Sequence, residues 1–142
     1  MKIIQHTIAL SNHRRGFHLV TGEIEKAIPE MKMLKSGIAH IFIKHTSAGL
    51  SINENADPTV RADFETFFTR LIPEDTSLYV HTDEGPDDMT SHIKSSIFGS
   101  SVSVPVTNGK FSLGTWQGIY LCQFRNNLRS RTIVVTIIGE EL

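Results

Sequence analysis

The chain carries one cysteine, Cys122, in 142 residues, so it closes no internal disulfide, and that scarcity fits a reducing compartment. No apolar run approaches the ~20 residues that span a bilayer. No charged stretch followed by an apolar one opens the chain, so no signal peptide is expected. Charge of one sign is also lacking: 14 Lys plus Arg against 15 Asp plus Glu leave a formal net charge of −1. So weak a field draws the chain neither to nucleic acid nor to an anionic membrane. The G-x-x-x-x-G-K-[ST], G-x-G-x-x-G and G-x-S-x-G elements are all missing, which argues against a nucleotide loop and a hydrolase elbow. No repeat, low-complexity segment or linker divides the sequence. A cytoplasmic protein forming a single domain over residues 1–142 is therefore expected, long enough to bury roughly two thirds of its unfolded surface.

What is present reads as α+β. "KIIQHTIAL" (2–10) is β-branched and partly alternating, a strand, and "FHLV" (17–20) resumes extended structure after a polar turn. Thr21 can cap a helix with Ile24, Ile28 and Met31 at helical spacing, ended by "SG" at 36–37. "IAHIFIKH" (38–45) is the next strand, with Ala39, Ile41, Ile43 and His45 on one face, and His40 reads as half-buried. Asp57 caps a second helix with Pro58 in its first turn and the stripe Val60, Phe64, Phe67, Phe68 and Leu71. "SLYVH" (77–81) predicts a short strand, and "DEGPDDM" opens a third helix that ends at Gly99. The last third alternates: "SVSVPVT", an "NG" hairpin signal at 108–109, "KFSLGTW", "QGIYLCQF" and "RTIVVTIIGEE". The sum is mainly antiparallel sheet with about three helices.

Seven histidines are present, and three stand out by context. His45 and His81 each end a predicted strand and lead into acidic, polar loops. His92 lies four residues after Asp88, so the two share a helical face. Glu84 follows His81 by three. Nitrogen and carboxylate donors from separate segments that meet with one position open describe a catalytic, zinc-type site. The stretch "KHTSAGLSINENADP" (44–58) adds Thr46 and Ser47 hydroxyls, Asn53 and Asn55 amides and the Glu54 carboxylate. Such groups suit a polar ligand or the support of a metal ligand, although Asn55 and Asp57 serve equally as turn and cap. Trp116 can stack on a flat ring while Gln117 reads its edge, or it can fill the core. Arg125, Arg129 and Arg131 suit phosphate or a solvated hairpin end. Cys122 alternates with Tyr120 and Phe124 and reads as a small core residue.

Three stretches, "HTSAGLSINENADP", "YVHTDEGPDDMTSHIKSSIFGSSVSVPVTNGKFSLGTWQGIYLCQFR" and "RTIVVTIIGE", together resemble the YjbQ family, also called UPF0047. The resemblance covers essentially the whole chain. It implies a compact α+β fold of antiparallel sheets, a homotrimer and a polar cleft near a subunit boundary. Members are similar to proteins named secondary thiamine-phosphate synthase, a transferase activity that joins hydroxymethylpyrimidine diphosphate to thiazole phosphate and releases pyrophosphate. On that chemistry His81, His92, Glu54 and Asp88 are the catalytic candidates. His45, His81, His92 and Glu84 are the candidate ligands of a divalent metal, zinc-like or magnesium. Thr46, Ser47, Asn53, Trp116, Gln117 and Arg125 are the candidate substrate contacts. Two other functions stand beside it: a metal-dependent enzyme on another small phosphorylated or anionic substrate, and a non-catalytic trimer that binds a metabolite or a metal.

Overall fold

The computed structural model describes all residues, Met1–Leu142. Its elements run β1 (Lys2–Ala9), β2 (Gly16–Leu19), α1 (Thr21–Ala27), β3 (Leu34–Ile43), β4 (Ala48–Glu54), α2 (Pro58–Leu71), α3 (Asp88–Phe98), β5 (Ser101–Thr107), β6 (Lys110–Phe111), β7 (Gln117–Gln123) and β8 (Thr132–Glu141), with 3-10 turns at Pro29–Met33 and Thr76–Leu78. A five-stranded antiparallel sheet has the order β1-β8-β3-β5-β6, and a three-stranded one the order β2-β7-β4. The α+β expectation holds. No helix is long and apolar enough to cross a membrane.

Alternation explains the layering. On β3, Ala39, Ile41 and Ile43 are buried, and on β8 so are Ile133, Val135 and Ile137. They meet Leu50 of β4 and Ile119 and Leu121 of β7 in one apolar core that α1 closes with Ile24. Successive strand side chains point to opposite faces. Tyr120 and Cys122 of β7 therefore turn the other way, and with Phe17 and Phe124 they form a second core against Phe64 and Phe68 of α2 and Phe98 of α3. The small sheet is thus a middle layer with apolar contacts on both faces, and α3 packs on it along β4.

Several sequence expectations change. Residues 77–81 form no strand: Leu78 is 60% exposed and Val80 fully exposed, with no neighbouring strand to pair with. The first helix ends at Ala27, because Pro29 cannot continue it, and Ser36 and Gly37 lie inside β3. That strand ends at Ile43, short of His45. Ala48–Glu54, read from sequence as polar loop, is a strand paired with β7. In "KFSLGTW" only Lys110 and Phe111 are strand. His40 is exposed on the outer face of the large sheet rather than half-buried.

Candidate functional site

α3 builds the site. Asp57 caps α2 with its own side chain, 2.9 Å from the Thr59 N–H, but Asp87 at the head of α3 makes no such cap. Asp87 instead accepts a 2.9 Å bond from the Asn126 N–H, which holds the 125–130 turn over the helix start. One residue on, Asp88 is 2% exposed. Its Oδ2 lies 2.8 Å from His81 Nε2 and 3.1 Å from His92 Nε2. Its Oδ1 accepts from Arg125 Nη1, and Arg125 Nη2 donates to the Glu84 carbonyl at 3.1 Å. Burial opposes the charge on Asp88, but hydrogen bonding with Glu84 and His81 and the nearby charges of His92 and Arg125 outweigh it and hold its pKa below the ordinary carboxylate value.

The tautomer of His92 follows from its surroundings. The Thr46 carbonyl is an acceptor only, so at 2.8 Å the His92 Nδ1 must donate. Nε2 then faces the Asp88 carboxylate with either a lone pair or a second proton. A lone pair against a carboxylate oxygen is repulsive, so the pair requires a cation between them: a proton or a metal. His81, Glu84, Asp88 and His92 place their ligand atoms within 4.8 Å of one another. Two imidazole nitrogens and two carboxylates are a set that zinc-like ions accept, and a ligand histidine anchored through its other N–H to a carbonyl is the usual support.

His45 is not in that cluster. Its Nε2 accepts the Thr132 N–H at 2.8 Å, so the proton of the neutral ring sits on Nδ1. Burial, then the charges of Arg131 and Arg129, push its pKa below the usual histidine value, so it is neutral at pH 7. His45 and Thr46 instead share an open cavity with His92, beside the cluster. Ser47 is buried, and its hydroxyl accepts from Arg131 Nη2 at 2.9 Å.

The other candidates lie at the far end of the small sheet. Ala48 pairs with Gln123 at the near end of the β4–β7 ladder and Glu54 with Gln117 at the other, a span of roughly 20 Å at ~3.3 Å per residue. There the Glu54 carboxylate accepts from the backbone N–H groups of Ala56 and Asp57. Asn53 Oδ1 accepts from the Glu54 N–H at 2.8 Å, and Gln117 Oε1 from the Gly114 N–H at 2.8 Å. Trp116 is 66% exposed and fills no core. Within one chain these four side chains are separate from His81, Asp88 and His92. Lys94 carries no flag in the sequence, and Arg131, read there as suited to phosphate or to a solvated hairpin end, is buried instead. Lys94 of α3 is 2% exposed, and Arg131 is 3% exposed with burial lowering its pKa to about 10.

Comparison with known proteins places this arrangement. Residues 6–140 match the model of a family described as UPF0047 protein YjbQ-like. The chain is 50% identical to UPF0047 protein YjbQ of Escherichia coli O157:H7 over 136 residues, covering 96% of this chain and 98% of that one. A YjbQ/UPF0047 crystal structure from Clostridium acetobutylicum superposes with a TM-score of 0.78 at 38% identity, covering 95% of this chain and 99% of that one. A YbjQ-like protein of Sulfolobus solfataricus P2 superposes with a TM-score of 0.81 at 26% identity, covering 98% and 99%.

Proposed function

The chain belongs to the YjbQ-like UPF0047 family, and from that premise we propose that it is a metal-dependent enzyme acting on a small phosphorylated substrate at the His81–Glu84–Asp88–His92 cluster. The observation that carries this reading is the two Nε2 atoms, from separate segments, converging on one buried carboxylate oxygen. The His92 N–H fixed to Thr46 adds to it. His81, Glu84, Asp88 and His92 would hold a zinc-like ion, which supplies charge neutralisation at a departing or attacked phosphate oxygen. The chain's own groups do the rest. Arg125 neutralises Oδ1 of Asp88 and fixes the carboxylate plane. The His81 ring is half exposed and its Nδ1 makes no bond within the chain, so with Nε2 on the ion its Nδ1–H would be free to donate a hydrogen bond to a substrate oxygen.

Thiamine-phosphate synthesis, the reaction implied by the resemblance, is the first assay on this reading. A trimer also belongs to the proposal, because the outer face of the large sheet carries an uncovered apolar row. Ile3, Ile138, Ile38 and Pro105 align across four strands, and the three isoleucines are 69%, 47% and 60% exposed. A patch of this kind marks an association surface.

Purified after growth with metals and without chelator, the protein is expected to hold about one equivalent of transition metal per chain, falling more than tenfold in Asp88→Asn and His92→Gln. Metal below a tenth of an equivalent in the wild type, with no recovery on titration with zinc, overturns the reading and leaves a proton between His92 and Asp88. Incubation with the pyrimidine diphosphate and the thiazole phosphate then decides whether thiamine phosphate is the product.

A further inference from the structure

Beside the cluster lies an open cavity of about 680 Å³ whose lining includes His45, Thr46, His92, Ser95, Ser96 and Ser100. Cavities of some 300–1,000 Å³ hold small ligands, but those are mostly apolar. This one has no hydrophobic lining residue and no carboxylate. The four-residue cluster, by contrast, contains two carboxylates. His92 is common to both.

The donors of the cavity are uncommitted. With Nε2 spent on Thr132, the Nδ1–H of His45 is its remaining polar group. The hydroxyls of Thr46, Ser96 and Ser100 make no hydrogen bond within the chain, whereas Ser95 donates to the Ala48 carbonyl at 2.9 Å. Behind this wall is Arg131, buried, bonded to Ser47 and Gln123 and to no carboxylate. Arg131 and Arg129 are the charges that act on His45, and no acidic group does.

The last turn of α3 borders the cavity, and bare C-terminal carbonyls would repel an anion. Of these the Ser95 carbonyl accepts from the Gly99 N–H at 2.9 Å, and just past the helix the Gly99 carbonyl accepts from the Leu50 N–H at 3.2 Å and the Ser100 carbonyl from the Ile43 N–H at 2.8 Å, whereas the Ser96, Ile97 and Phe98 carbonyls accept none within the chain. Against those three carbonyls stand the donors of the wall and the arginine charges behind it, next to the proposed cation site.

We propose that this cavity binds a phosphate monoester group of the substrate, one that does not react, held by His45 Nδ1–H and the hydroxyls of Thr46, Ser96 and Ser100. The substrate is then an elongated phosphorylated molecule, anchored in the cavity while its reacting end lies at Asp88 and His92. This rests on the cluster being the reactive centre. The cavity is nevertheless testable by itself, with inorganic phosphate as the probe and calorimetry on metal-stripped protein in EDTA.

Phosphate is expected to bind the wild type in EDTA. It should bind at least tenfold more weakly to Ser96→Asp and to Ser100→Asp, both exposed positions, with unchanged unfolding midpoints. His81→Gln, which lies outside the cavity, should lose metal and keep phosphate. Phosphate that binds only when metal is restored sits on the metal, which overturns the cavity assignment. Binding equal in wild type and both Asp variants, or binding of glycerol but not phosphate, overturns it too. Phosphate binding retained in a protein that never takes up metal sinks the proposed enzyme while sustaining the anion site.

Discussion

The two cores of this molecule are built to different rules. The core under the large sheet is apolar throughout: Ile4, Ile8, Ala39, Ile41, Val104, Ile133 and their neighbours. The layer between the small sheet and α3 buries Asp87, Asp88, Thr90, Ser91 and Lys94, and Ser47, Gln123 and Arg131 form a buried hydrogen-bonded set at the end of the small sheet. None of the eight buried polar residues belongs to a strand of the large sheet. One layer supplies cohesion by area removed from water. The other spends part of that cohesion on charges that must be kept paired. The proposed site lies where the interior is polar, because only there can a carboxylate be held dry and aimed.

The contrast predicts unequal costs, measured as urea unfolding at fixed protein concentration. Ile41→Ala removes a fully buried side chain from the apolar core and should cost about 3–4 kcal/mol. Phe67→Ala on α2, where the ring is 58% exposed, should stay within about 0.5 kcal/mol. Equal losses at the two positions would erase the distinction. Asp88→Asn should cost about 2–3 kcal/mol, since it leaves the partly buried Arg125 without its closest partner. Asp87 Oδ2, still 3.1 Å from Arg125 Nε, limits the loss. An unchanged midpoint in Asp88→Asn would mean that the polar layer carries no net electrostatic stability.

Gly139→Ala probes the seam of the large sheet. A Cβ there would fall 2.4 Å from the Ser36 carbonyl oxygen and 3.1 Å from Gly37, its cross-strand partner. Neither backbone atom can move without the ladder, so about 1–2 kcal/mol should be lost. Wild-type stability in this variant would show that the β3–β8 pair can spread.

The difference between the layers also explains what could be read in the sequence. β1, β3 and β8 follow period 2 because one face meets a uniform core, and register leaves no other choice. The "NG" turn was legible because its backbone demands those residues: Asn108 and Gly109 have φ of 49° and 79°. β4 was hidden, because Ala48, Gly49 and Leu50 are all buried in a row while Ser51, Asn53 and Glu54 surround the single apolar Ile52, so no clean period runs through it. The predicted strand at 77–81 failed for the opposite reason, β-like composition with no partner. In the site, Asp88 and His92 were legible through helix geometry, and His81 through its acidic neighbourhood. Glu54 was not separable from them, because a carboxylate that ties down backbone N–H groups has the same chemistry as one that catalyses. Lys94 gave no signal, since charged residues are ordinarily outside, and Arg131 was marked as suited to phosphate or to a solvated hairpin end, with nothing to show that it is buried.

Lys94 sharpens the comparison with an expected gain rather than a loss. Its ammonium lies 5.7 Å from the centre of the Phe124 ring and has no ion pair or hydrogen bond within the chain. Burial lowers its pKa, the Arg15 charge adds to that, and Glu65 and Glu74 oppose it. A basic group depressed in the folded state is protonated longer in the unfolded state, so stability rises with pH from the folded pKa up to the unfolded value near 10.5 and then levels off. Lys94→Met keeps the side-chain length and removes the buried charge. It should gain about 1 kcal/mol at pH 7 and lose the wild-type rise between neutral pH and 10.5. A loss of stability instead, with the alkaline rise intact, would show that the charge on Lys94 is favourable where it sits and that the polar layer tolerates it at no cost.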